Sequence, residues 1–598
     1  PYHDWNEKIA FECYNPNSVA RVLNREKKSI DHVNNYAYIN FNFGPTLLNW
    51  YMKFFPEEYQ RLLDADQDSM NRNGGHGNAI AQVYSHIIMP LANRRDKRTQ
   101  VLWGIRDFQF RFARYPEAIW LPEAACNYET VEVLIEHGMK YMILSPYQAE
   151  CIRPLKAGEG KEWKDVSDGS IDPSRAYRLF LKDKDGREIR EKYIDVFFYA
   201  GDLAHAVSFQ RIMSDSSMVA DRFAGCLDPD KEEPQLVHIA TDGETYGHHE
   251  AFAEMCLAHL IKYELPQRGF QVTNYGRYLS LCPPTWEVKI KEGNNGEGTS
   301  WSCSHGVQRW KSDCGCGKEK NWQQHWREPL RDTMDWLRDE LARIFETEGG
   351  KYFKDVWKAR DDYIEVILDR SRAKGFLRRH LKIELTSPVQ IAALKLLEME
   401  RYAMLMYTSC GWFFSELSGI EVVQNLRYAA RAIQLAHELT GQSMEYEFLK
   451  RLKEAKSNIP EFNDGWGVYD KLVRPSIATL EQVVSQYGIS LLFDNLSEET
   501  KIYFYRIRTL DIQKHQVAGF TLLMGRVVIT SEITTEQKEE VFLIVYLPDY
   551  TIRSYVKEFV SEKEYEEMIE QFCSVSGQEI LEGIDELRKP YFEDRYFT

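Results

Sequence analysis

The chain has 598 residues, 75 Lys and Arg against 91 Asp and Glu, and a formal net charge of −16. This acidic balance argues against a nucleic-acid-binding protein, because phosphate recognition requires a basic surface. No apolar run reaches the ~18 residues of a membrane span, and 11 cysteines are too few for a disulfide-dense secreted domain. The sequence opens at Pro1 without a secretory leader, so we expect a cytoplasmic globular protein.

Short apolar runs separated by amphipathic segments fill roughly the first 280 residues, a rhythm typical of repeated βα units. The runs are residues 38–43, 118–121, 139–144, 193–200 and 236–241. The run 38–43 alternates apolar and polar residues. Because the other runs are nearly continuous in apolar residues, we predict strands that are covered on both faces, as in a parallel sheet or barrel. Residues 177–181 and the turn at Asp185-Gly186 predict one inserted antiparallel hairpin.

The second half of the chain changes pattern twice. Residues 283–326 are polar and predict an elaborated loop, whereas from Leu330 apolar residues three and four positions apart predict helices. One helix begins at Ser387-Pro388 and another spans 419–439. Antiparallel strands are predicted at 502–507, 517–523, 526–529 and 541–547, with two helices closing the chain. We predict an α/β protein with a barrel-type domain over 1–326, a helical domain over 327–485 and a smaller β-rich domain over 486–598.

Two acidic residues directly follow predicted strands. Glu123 closes Trp120-Leu121-Pro122-Glu123, and Asp242 opens Asp242-Gly243-Glu244-Thr245-Tyr246-Gly247-His248-His249. In barrels of parallel strands, catalytic groups lie where the strands end. Two carboxyl groups across one pocket suffice for glycoside hydrolysis, since one attacks or activates water while the other protonates the leaving oxygen. Taken alone, an acid that follows a strand is usually a helix N-cap or a solvated loop residue, so the prediction depends on the pair.

Together, the two motifs resemble glycoside hydrolase family 57. The resemblance covers roughly residues 2–450, including Gly104 and the stretch 111–114 before the first motif. It implies a (β/α)7-type barrel followed by a helical domain that completes the cleft, a retaining mechanism and α-glucan substrates. It also implies the branch of the family that carries a C-terminal domain of unknown function. Within the motifs, Glu123 matches the nucleophile and Asp242 matches the general acid/base.

Further matches imply substrate contacts. A histidine before a Pro-Leu pair matches His86 in Ser85-His86-Ile87-Ile88-Met89-Pro90-Leu91, and the aromatic residue of the last family motif matches Trp412 in Cys410-Gly411-Trp412-Phe413-Phe414-Ser415-Glu416. The remaining candidates for sugar contact lie at or beside strand ends: Trp120, Asp202, Glu244 and His248. For the tryptophans, packing in the core is the alternative, and for the histidines the alternative is a structural hydrogen bond.

One family motif is absent from this chain. The family opens with a His-rich strand end followed by Gln-Pro, whereas Pro1-Tyr2-His3-Asp4-Trp5-Asn6 is similar to sequence just downstream of that motif. We therefore expect either that residues upstream of Pro1 complete the barrel and the sugar site, or that the barrel closes differently.

A cysteine cluster lies inside the polar loop. Cys303-Ser304-His305 and Cys314-Gly315-Cys316 place four metal-binding side chains within fourteen residues. Such ligands suit tetrahedral zinc, which would stabilise a segment too polar to fold by itself. The spacings are not those of a standard zinc finger. A disulfide from Cys303 to Cys314 or Cys316 is one alternative, and free thiols with His305 and Trp301 contacting sugar are another.

These features predict a retaining glycoside hydrolase or transglycosylase of the amylase, 4-α-glucanotransferase or branching type. Its partner would be an oligo- or polysaccharide rather than nucleic acid or a membrane, with homo-oligomer formation left open. We expect no cofactor in catalysis, and structural zinc at the cysteine cluster. Two alternatives remain open. One is a carbohydrate-binding or scaffold protein without activity; the other is a metal-dependent carbohydrate deacetylase, for which the expected His-x-x-x-His spacing is missing.

Overall fold

The computed structural model describes residues 2–592 except 25, 157–161, 184, 318, 320, 495, 518 and 576–579. The chain forms two compact units. The first comprises Pro1–Asp335, Met404–Asn425 and Arg451–Gly465, and the second comprises Trp336–Ala403, Leu426–Lys450 and Trp466–Thr598. Within the described ranges, no helix combines the length and the apolar character that crossing a membrane requires. The predicted division into three domains at residues 326 and 485 stays a prediction.

The described residues contain the following regular elements. The strands are β1 (Ala20–Leu23), β2 (Ser29–Val33), β3 (Ala81–Gln82), β4 (Ile119–Trp120), β5 (Tyr141–Leu144), β6 (Ala149–Pro154), β7 (Lys164–Asp165), β8 (Ala176–Lys182), β9 (Glu188–Phe198), β10 (Trp286–Ile290), β11 (Glu499–Ile502), β12 (Tyr505–Val517), β13 (Phe520–Ser531), β14 (Gln537–Tyr546) and β15 (Ile552–Glu558). The α-helices are α1 (Trp5–Ile9), α2 (Asn15–Ser18), α3 (Pro45–Phe54), α4 (Pro56–Arg72), α5 (Arg94–Phe112), α6 (Tyr128–Glu136), α7 (Gly201–Phe209), α8 (Ser216–Ala224), α9 (Ala253–His259), α10 (Leu265–Gln267), α11 (Tyr275–Leu281), α12 (Arg327–Tyr352), α13 (Val356–Asp362), α14 (Ile364–Leu368), α15 (Ala373–His380), α16 (Ser387–Leu405), α17 (Cys410–Phe413), α18 (Ile420–Thr440), α19 (Glu445–Leu452), α20 (Gly465–Val468), α21 (Leu480–Ser490), α22 (Glu562–Ser574) and α23 (Ile580–Tyr591).

Parallel pairing in chain order organises the first unit. Phe41 pairs with Ala79, β3 with β4, Ala118 with Tyr141, and β5 with β9, all in parallel. The Ala200 N–H then donates to the His238 carbonyl at 2.9 Å. The predicted alternation of strands and helices is confirmed. The predicted strands at 38–43 and 236–241 are wrong as regular strands, because the first makes a single bridge at Phe41 and the second lies outside every assigned strand.

The predicted hairpin is confirmed. Strands β8 and β9 pair antiparallel, from Ala176 opposite Phe197 to Lys182 opposite Glu188, within a six-stranded sheet of order β5-β9-β8-β10-β6-β7. Strand β10 pairs with β6 and β8, so the predicted loop at 283–326 begins with a strand instead. Its side chains Val288 and Ile290 are buried, which explains why the segment pairs despite its polar neighbours.

Helix α5 packs directly on the strands that carry the first motif. A Cβ atom added at Gly104 would lie 2.1 Å from the Gln82 carbonyl oxygen and 3.1 Å from Ile119 Cδ1. Only a glycine permits this approach, because the nearest atom is backbone and cannot rotate away. The close contact fixes β3 and β4 against α5, and the segments containing His86 and Glu123 follow those two strands.

We expect Gly104→Ala to destabilise the first unit by about 1–3 kcal/mol, because helix and strand must separate to accommodate a methyl group. Urea unfolding followed by tryptophan fluorescence measures the change, since Trp103 on α5 is fully buried. Gly225→Ala is the matched control, because the nearest atom to its added Cβ lies at an ordinary 3.5 Å. Equal stability of the two variants would contradict the packing argument.

The second unit contains the predicted antiparallel sheet, of order β11-β12-β13-β14-β15. Leu523 and Ile544 pack with Val484 and Tyr487 of α21, whereas their neighbours Leu522 and Leu543 pack with the two closing helices. Both faces of β13 and β14 are therefore covered. The predicted strand at 517–523 is wrong in its bounds, since β12 ends at Val517 and β13 begins at Phe520.

Candidate active site

Glu123 lies in a tight turn directly after β4. Its backbone has φ 58° and ψ 20°, and Ala124 follows with φ 49°. The left-handed region is unusual for residues other than glycine and costs of order 1–3 kcal/mol, which the surrounding structure must offset. Two such residues in succession aim the Glu123 side chain away from the direction that the strand would give it.

Two donors from the polar loop hold the Glu123 carboxylate. Trp301 Nε1–H donates to Oε2 at 2.9 Å, and the Ser302 hydroxyl donates to the same oxygen at 2.6 Å. The Trp301 backbone N–H also donates to the Glu123 carbonyl at 2.9 Å. Among the described residues, no donor reaches Oε1. Trp301 and Ser302 thus fix one carboxylate oxygen and leave the other without a hydrogen bond from the described residues.

We expect Ser302→Ala to lower kcat while leaving KM nearly unchanged, because it removes one anchor from a carboxylate that must be positioned accurately. A hydrogen bond to a charged group contributes about 1.5–3 kcal/mol, which corresponds to roughly a 10- to 100-fold loss. Initial rates on maltooligosaccharides, the substrate class that the sequence resemblance implies, measure the loss. Ser280→Ala, an exposed site whose hydroxyl bonds the Arg277 carbonyl, is the control. A kcat equal to that of the unmodified chain would contradict the positioning role.

Two further aromatic rings pack against Trp301, whose indole holds this carboxylate. Trp301 meets Trp120 edge to face with ring centroids 5.2 Å apart, and Tyr199 approaches Trp301 at 6.3 Å. Trp120 is half-buried, so a part of its surface remains accessible to a ligand. Its stacking on a sugar stays a prediction. Tyr199 was not identified from the sequence, although it follows the apolar strand β9 directly.

Asp242 shares the electrostatic environment of Glu123. Asp242 precedes the 3-10 turn Gly243–Thr245 and is exposed to solvent. Nearby protein atoms nevertheless displace much of the water around its carboxyl group. This desolvation, then the charge of Glu244, then the charge of Glu123 raise the pKa of Asp242. The charge of Glu123 thus contributes to the electrostatic environment of Asp242.

The N-terminal segment anchors the loop that carries Asp242. The Tyr14 hydroxyl donates to Glu244 Oε1, Cys13 Sγ lies 3.3 Å from the Gly243 carbonyl, and Asn17 Nδ2 donates to the Tyr246 carbonyl at 2.7 Å. Burial, followed by the charge of Glu244, raises the pKa of Tyr14, so the phenol stays a donor. The predicted sugar-binding residue Glu244 is thereby tied to Tyr14, which the sequence pattern did not single out.

His248 is held by an acid from the same N-terminal segment. Its Nδ1 lies 2.6 Å from Glu12 Oε2, and its ring meets Trp5 edge to face at 6.2 Å. The pairing fixes the ring orientation. Contact of His248 with substrate stays a prediction.

His86 lies in the second left-handed turn of the site, with φ 54°. Its Nδ1 is 2.7 Å from the Ser409 hydroxyl, and its carbonyl accepts the Ser409 N–H at 2.9 Å. Burial lowers the pKa of His86 to about 4, so the imidazole is neutral at neutral pH. Desolvation and then the charge of Glu123 raise the pKa of the neighbouring Cys410 thiol to about 11, although Cys410 opens to solvent.

The prediction that Trp412 stacks on a sugar does not fit the structure. The side chain is fully buried, one face lies against Tyr407 at 6.2 Å, and the Arg331 guanidinium lies 4.3 Å from the ring centroid. Its indole N–H donates to the Arg327 carbonyl. The Trp412 ring has no exposed face and packs in the protein core instead. The motif that carries it forms the short helix α17, which belongs to the first unit.

Asp202 lies exposed in the first turn of α7. Its charge contributes, after desolvation, to raising the pKa of Cys226. No described contact joins it to Glu123 or Asp242, and its role in binding stays a prediction.

The four side chains of the cysteine cluster meet in space. One potential ligand atom from each of Cys303, His305, Cys314 and Cys316 lies within 4.8 Å of every other. Among the described residues, this is the group of His, Cys, Asp or Glu side chains whose geometry could hold a metal ion. Trp301 and Ser302, which contact Glu123, directly precede Cys303.

Comparison with protein families relates the part of the chain that contains Glu123 and Asp242 to a known family. Residues 5–291, which contain Glu123 and Asp242, match the model for glycosyl hydrolase family 57. Residues 5–291 are a glycosyl hydrolase family 57 domain. The resemblance drawn from the sequence motifs is thus confirmed, and so is the predicted branch, since residues 322–598 match a domain of unknown function, DUF3536. Comparison with curated proteins gives no significant match.

Comparison with solved structures concerns the fold of the chain. An exo-type maltose-forming amylase from Pyrococcus sp. ST04 matches with a TM-score of 0.55 and 15% identity, over 81% of this chain and 86% of that one. A branching enzyme from Thermococcus kodakaraensis matches with a TM-score of 0.40 and 14% identity, over 72% and 76%. A 4-α-glucanotransferase from Thermococcus litoralis has a TM-score of 0.44 and 11% identity, over 93% and 82%. At this identity the amylase match shows a shared fold.

Proposed function

We propose that this protein is a retaining glycoside hydrolase or transglycosylase that acts on α-glucans through Glu123 and Asp242. The observation that carries the proposal is that Glu123 and Asp242 both lie within residues 5–291, which match glycosyl hydrolase family 57. The fold match to a maltose-forming amylase and the contribution of the Glu123 charge to the raised pKa of Asp242 support it. A retaining mechanism requires the carboxyls to be about 5–5.5 Å apart, whereas inversion requires ~6.5–9.5 Å.

In the first step, Glu123 Oε1 attacks the anomeric carbon while Asp242 donates its proton to the glycosidic oxygen. The bond from that carbon to the leaving oxygen breaks, and an ester to Glu123 forms. Trp301 and Ser302 hold the other carboxylate oxygen, so Oε1 points at the substrate during the attack. The strained turn at Glu123 supplies the direction.

In the second step, Asp242 acts as a base. It removes a proton from water or from a sugar hydroxyl, whose oxygen then attacks the anomeric carbon and releases Glu123. Water gives hydrolysis and a sugar hydroxyl gives transfer. Both outcomes belong to the proposal, because they differ only in the acceptor.

The raised pKa of Asp242 suits it to the acid role. A carboxyl with an ordinary pKa would be ionised at neutral pH and could not donate. Desolvation and the charges of Glu244 and Glu123 keep the proton on Asp242 to higher pH. When the Glu123 charge disappears in the ester, one of these effects is removed, so the pKa of Asp242 falls and its carboxylate form is available as the base of the second step.

We further propose that His86, Trp120, Asp202, Glu244 and His248 contact the sugar chain. The left-handed turn and the Ser409 hydrogen bond orient His86, whose neutral imidazole can both donate and accept. Trp120 offers a partly exposed ring beside the carboxylate. Glu244 and His248 are held by the N-terminal segment on the loop that follows Asp242.

The test is a panel of maltooligosaccharides, amylose and other glycans, with products followed by proton NMR from the first minutes. We expect α-configured products to form first and to mutarotate later. Early β-configured products would overturn the retaining mechanism. Glycan binding without any turnover would favour the scaffold alternative, and release of acetate from acetylated sugars would favour the deacetylase.

A further inference from the structure

The cysteine cluster has the dimensions of a metal site. Cys316 Sγ and His305 Nδ1 are 3.5 Å apart, and every ligand atom of the four residues lies within 4.8 Å of the others. Around tetrahedral zinc, with Zn–S near 2.3 Å and Zn–N near 2.0–2.1 Å, ligand atoms are about 3.5–3.8 Å apart. The three cysteines are free thiols in this structure. A small contraction would bring all four atoms to zinc.

A buried cation accompanies the cluster. The Arg327 side chain is fully buried, its Nη1 lies 3.9 Å from Cys314 Sγ, and its Nη2 donates to the carbonyls of Phe413 and Phe414. Among the described residues, no carboxylate lies within ion-pair distance of Arg327. A buried guanidinium without a carboxylate needs another anion.

A zinc ion together with its four ligands would act as that anion. Three thiolates and a neutral imidazole around one Zn²⁺ carry a net charge of −1, which balances one guanidinium. The contact from Arg327 to Cys314 Sγ is then the second-layer hydrogen bond that such sites use to hold a thiolate. A second buried cation, Arg309, donates to the Cys316 carbonyl at 3.3 Å.

Local hydrogen bonds already shape the loop around the cluster. Asp313 accepts the backbone N–H groups of Gly315 and Gln324 through its two carboxylate oxygens, at 3.1 Å and 3.0 Å. The Ser300 hydroxyl donates to the Gly306 carbonyl, and the Gly306 N–H donates to the Cys303 carbonyl. The loop is therefore folded on both sides of the four ligands.

We propose that Cys303, His305, Cys314 and Cys316 bind one zinc ion, which fixes the segment carrying Trp301 and Ser302 against Glu123. Four protein ligands fill the coordination sphere, so the ion is structural and takes no part in the reaction. Its link to activity runs through the chain, because Cys303 directly follows Ser302. That link rests on the proposed role of Glu123, whereas the binding of zinc does not.

Metal content tests the binding directly. The full chain, purified under reducing conditions, is loaded with Zn²⁺, dialysed against metal-free buffer and assayed by mass spectrometry of the metal. We expect about one zinc per chain, and below ~0.2 for Cys316→Ser and His305→Ala. Cys226→Ser, an exposed thiol outside the cluster, should keep the full content. Less than ~0.2 zinc in the unmodified chain, or a disulfide between two cluster cysteines in the loaded protein, would overturn the proposal.

Hydrogen exchange tests the link to Glu123 without an activity readout. Removing zinc with a chelator should raise the exchange rates of the Trp301 and Gly306 amides at least ~10-fold, because both are hydrogen-bonded within the clamped segment. Unchanged exchange after zinc loss would contradict the clamp. If zinc binds and protects these amides but no glycan is turned over, the proposed function fails and the zinc site stands.

Discussion

Replacing Glu123 by glutamine should lower kcat/KM on α-glucans by at least ~10³-fold, because an amide cannot form the covalent ester. The change keeps the size of the side chain and an acceptor for Trp301 Nε1 and Ser302 Oγ. We therefore expect the melting temperature to stay close to that of the unmodified protein. Initial rates on maltooligosaccharides, with circular dichroism for the fold, measure both effects.

The control for this variant is Glu232→Gln, which alters an exposed acid away from the site. A second variant, Glu123→Ala, leaves space for an external nucleophile. With azide we expect a β-glycosyl azide from an α-linked substrate, because azide attacks from the face that Glu123 has vacated. Glu123→Gln turnover above about a tenth of the unmodified rate would exclude Glu123 as the nucleophile.

The second large effect concerns Asp242. We expect Asp242→Asn to lower kcat/KM on maltooligosaccharides by about 10²–10⁴-fold, because the leaving oxygen then departs without a proton. The loss in the first step should be far smaller for α-glucosyl fluoride, since fluoride leaves without protonation. Asp230→Asn, an exposed site, is the matched control. Equal losses on both substrates would contradict an acid role for Asp242.

The pH dependence of kcat/KM tests the same acid role of Asp242, and the direction of its change can be predicted. Because the pKa of Asp242 is raised, the protonated form persists to higher pH, and kcat/KM should fall as pH rises through that pKa. Glu244→Gln removes one of the charges that raise it, so the falling limb should move to lower pH. A limb that stays in place in Glu244→Gln would show that another group controls it.

The places of Glu123 and Asp242 in the fold could be predicted because each residue directly follows a chain segment that the apolar pattern marks. Glu123 follows β4, and Asp242 follows the run 236–241, which lies beside Ala200 without forming a regular strand. The pattern thus located the end of each segment correctly even where it misjudged the hydrogen bonding. The catalytic roles of both acids stay a proposal, which the usual location of chemistry at strand ends in parallel folds supports.

The residues that orient Glu123, Glu244 and His86 could not be predicted. Ser302 lies 179 positions from Glu123, Tyr14 lies 230 positions from Glu244, and Ser409 lies 323 positions from His86. No local periodicity connects such pairs, because tertiary folding alone brings them together. The prediction that Trp412 stacks on a sugar does not fit the structure for a related reason. A Trp in an apolar motif is as readily buried as exposed, and its burial depends on elements distant in sequence.

Strand bounds in the second unit show another limit. Helices cover both faces of β13 and β14, so successive residues such as Leu522 and Leu523 are all apolar, and the alternation that marks a half-exposed strand is lost. The predicted strand at 517–523 consequently ran through a turn. Strand β15 was missed because it carries charged residues at an edge of the sheet.

Trapping the covalent intermediate tests the central claim most directly. A 5-fluoro-α-glucosyl fluoride loses fluoride on attack by the nucleophile and leaves a slowly hydrolysed fluoroglucosyl ester, which proteolysis and mass spectrometry can locate. We expect one adduct per chain, on the peptide that contains Glu123, and none in Glu123→Gln. An adduct on a different residue, or turnover of α-glucans without any adduct and with β-configured products, would contradict the account.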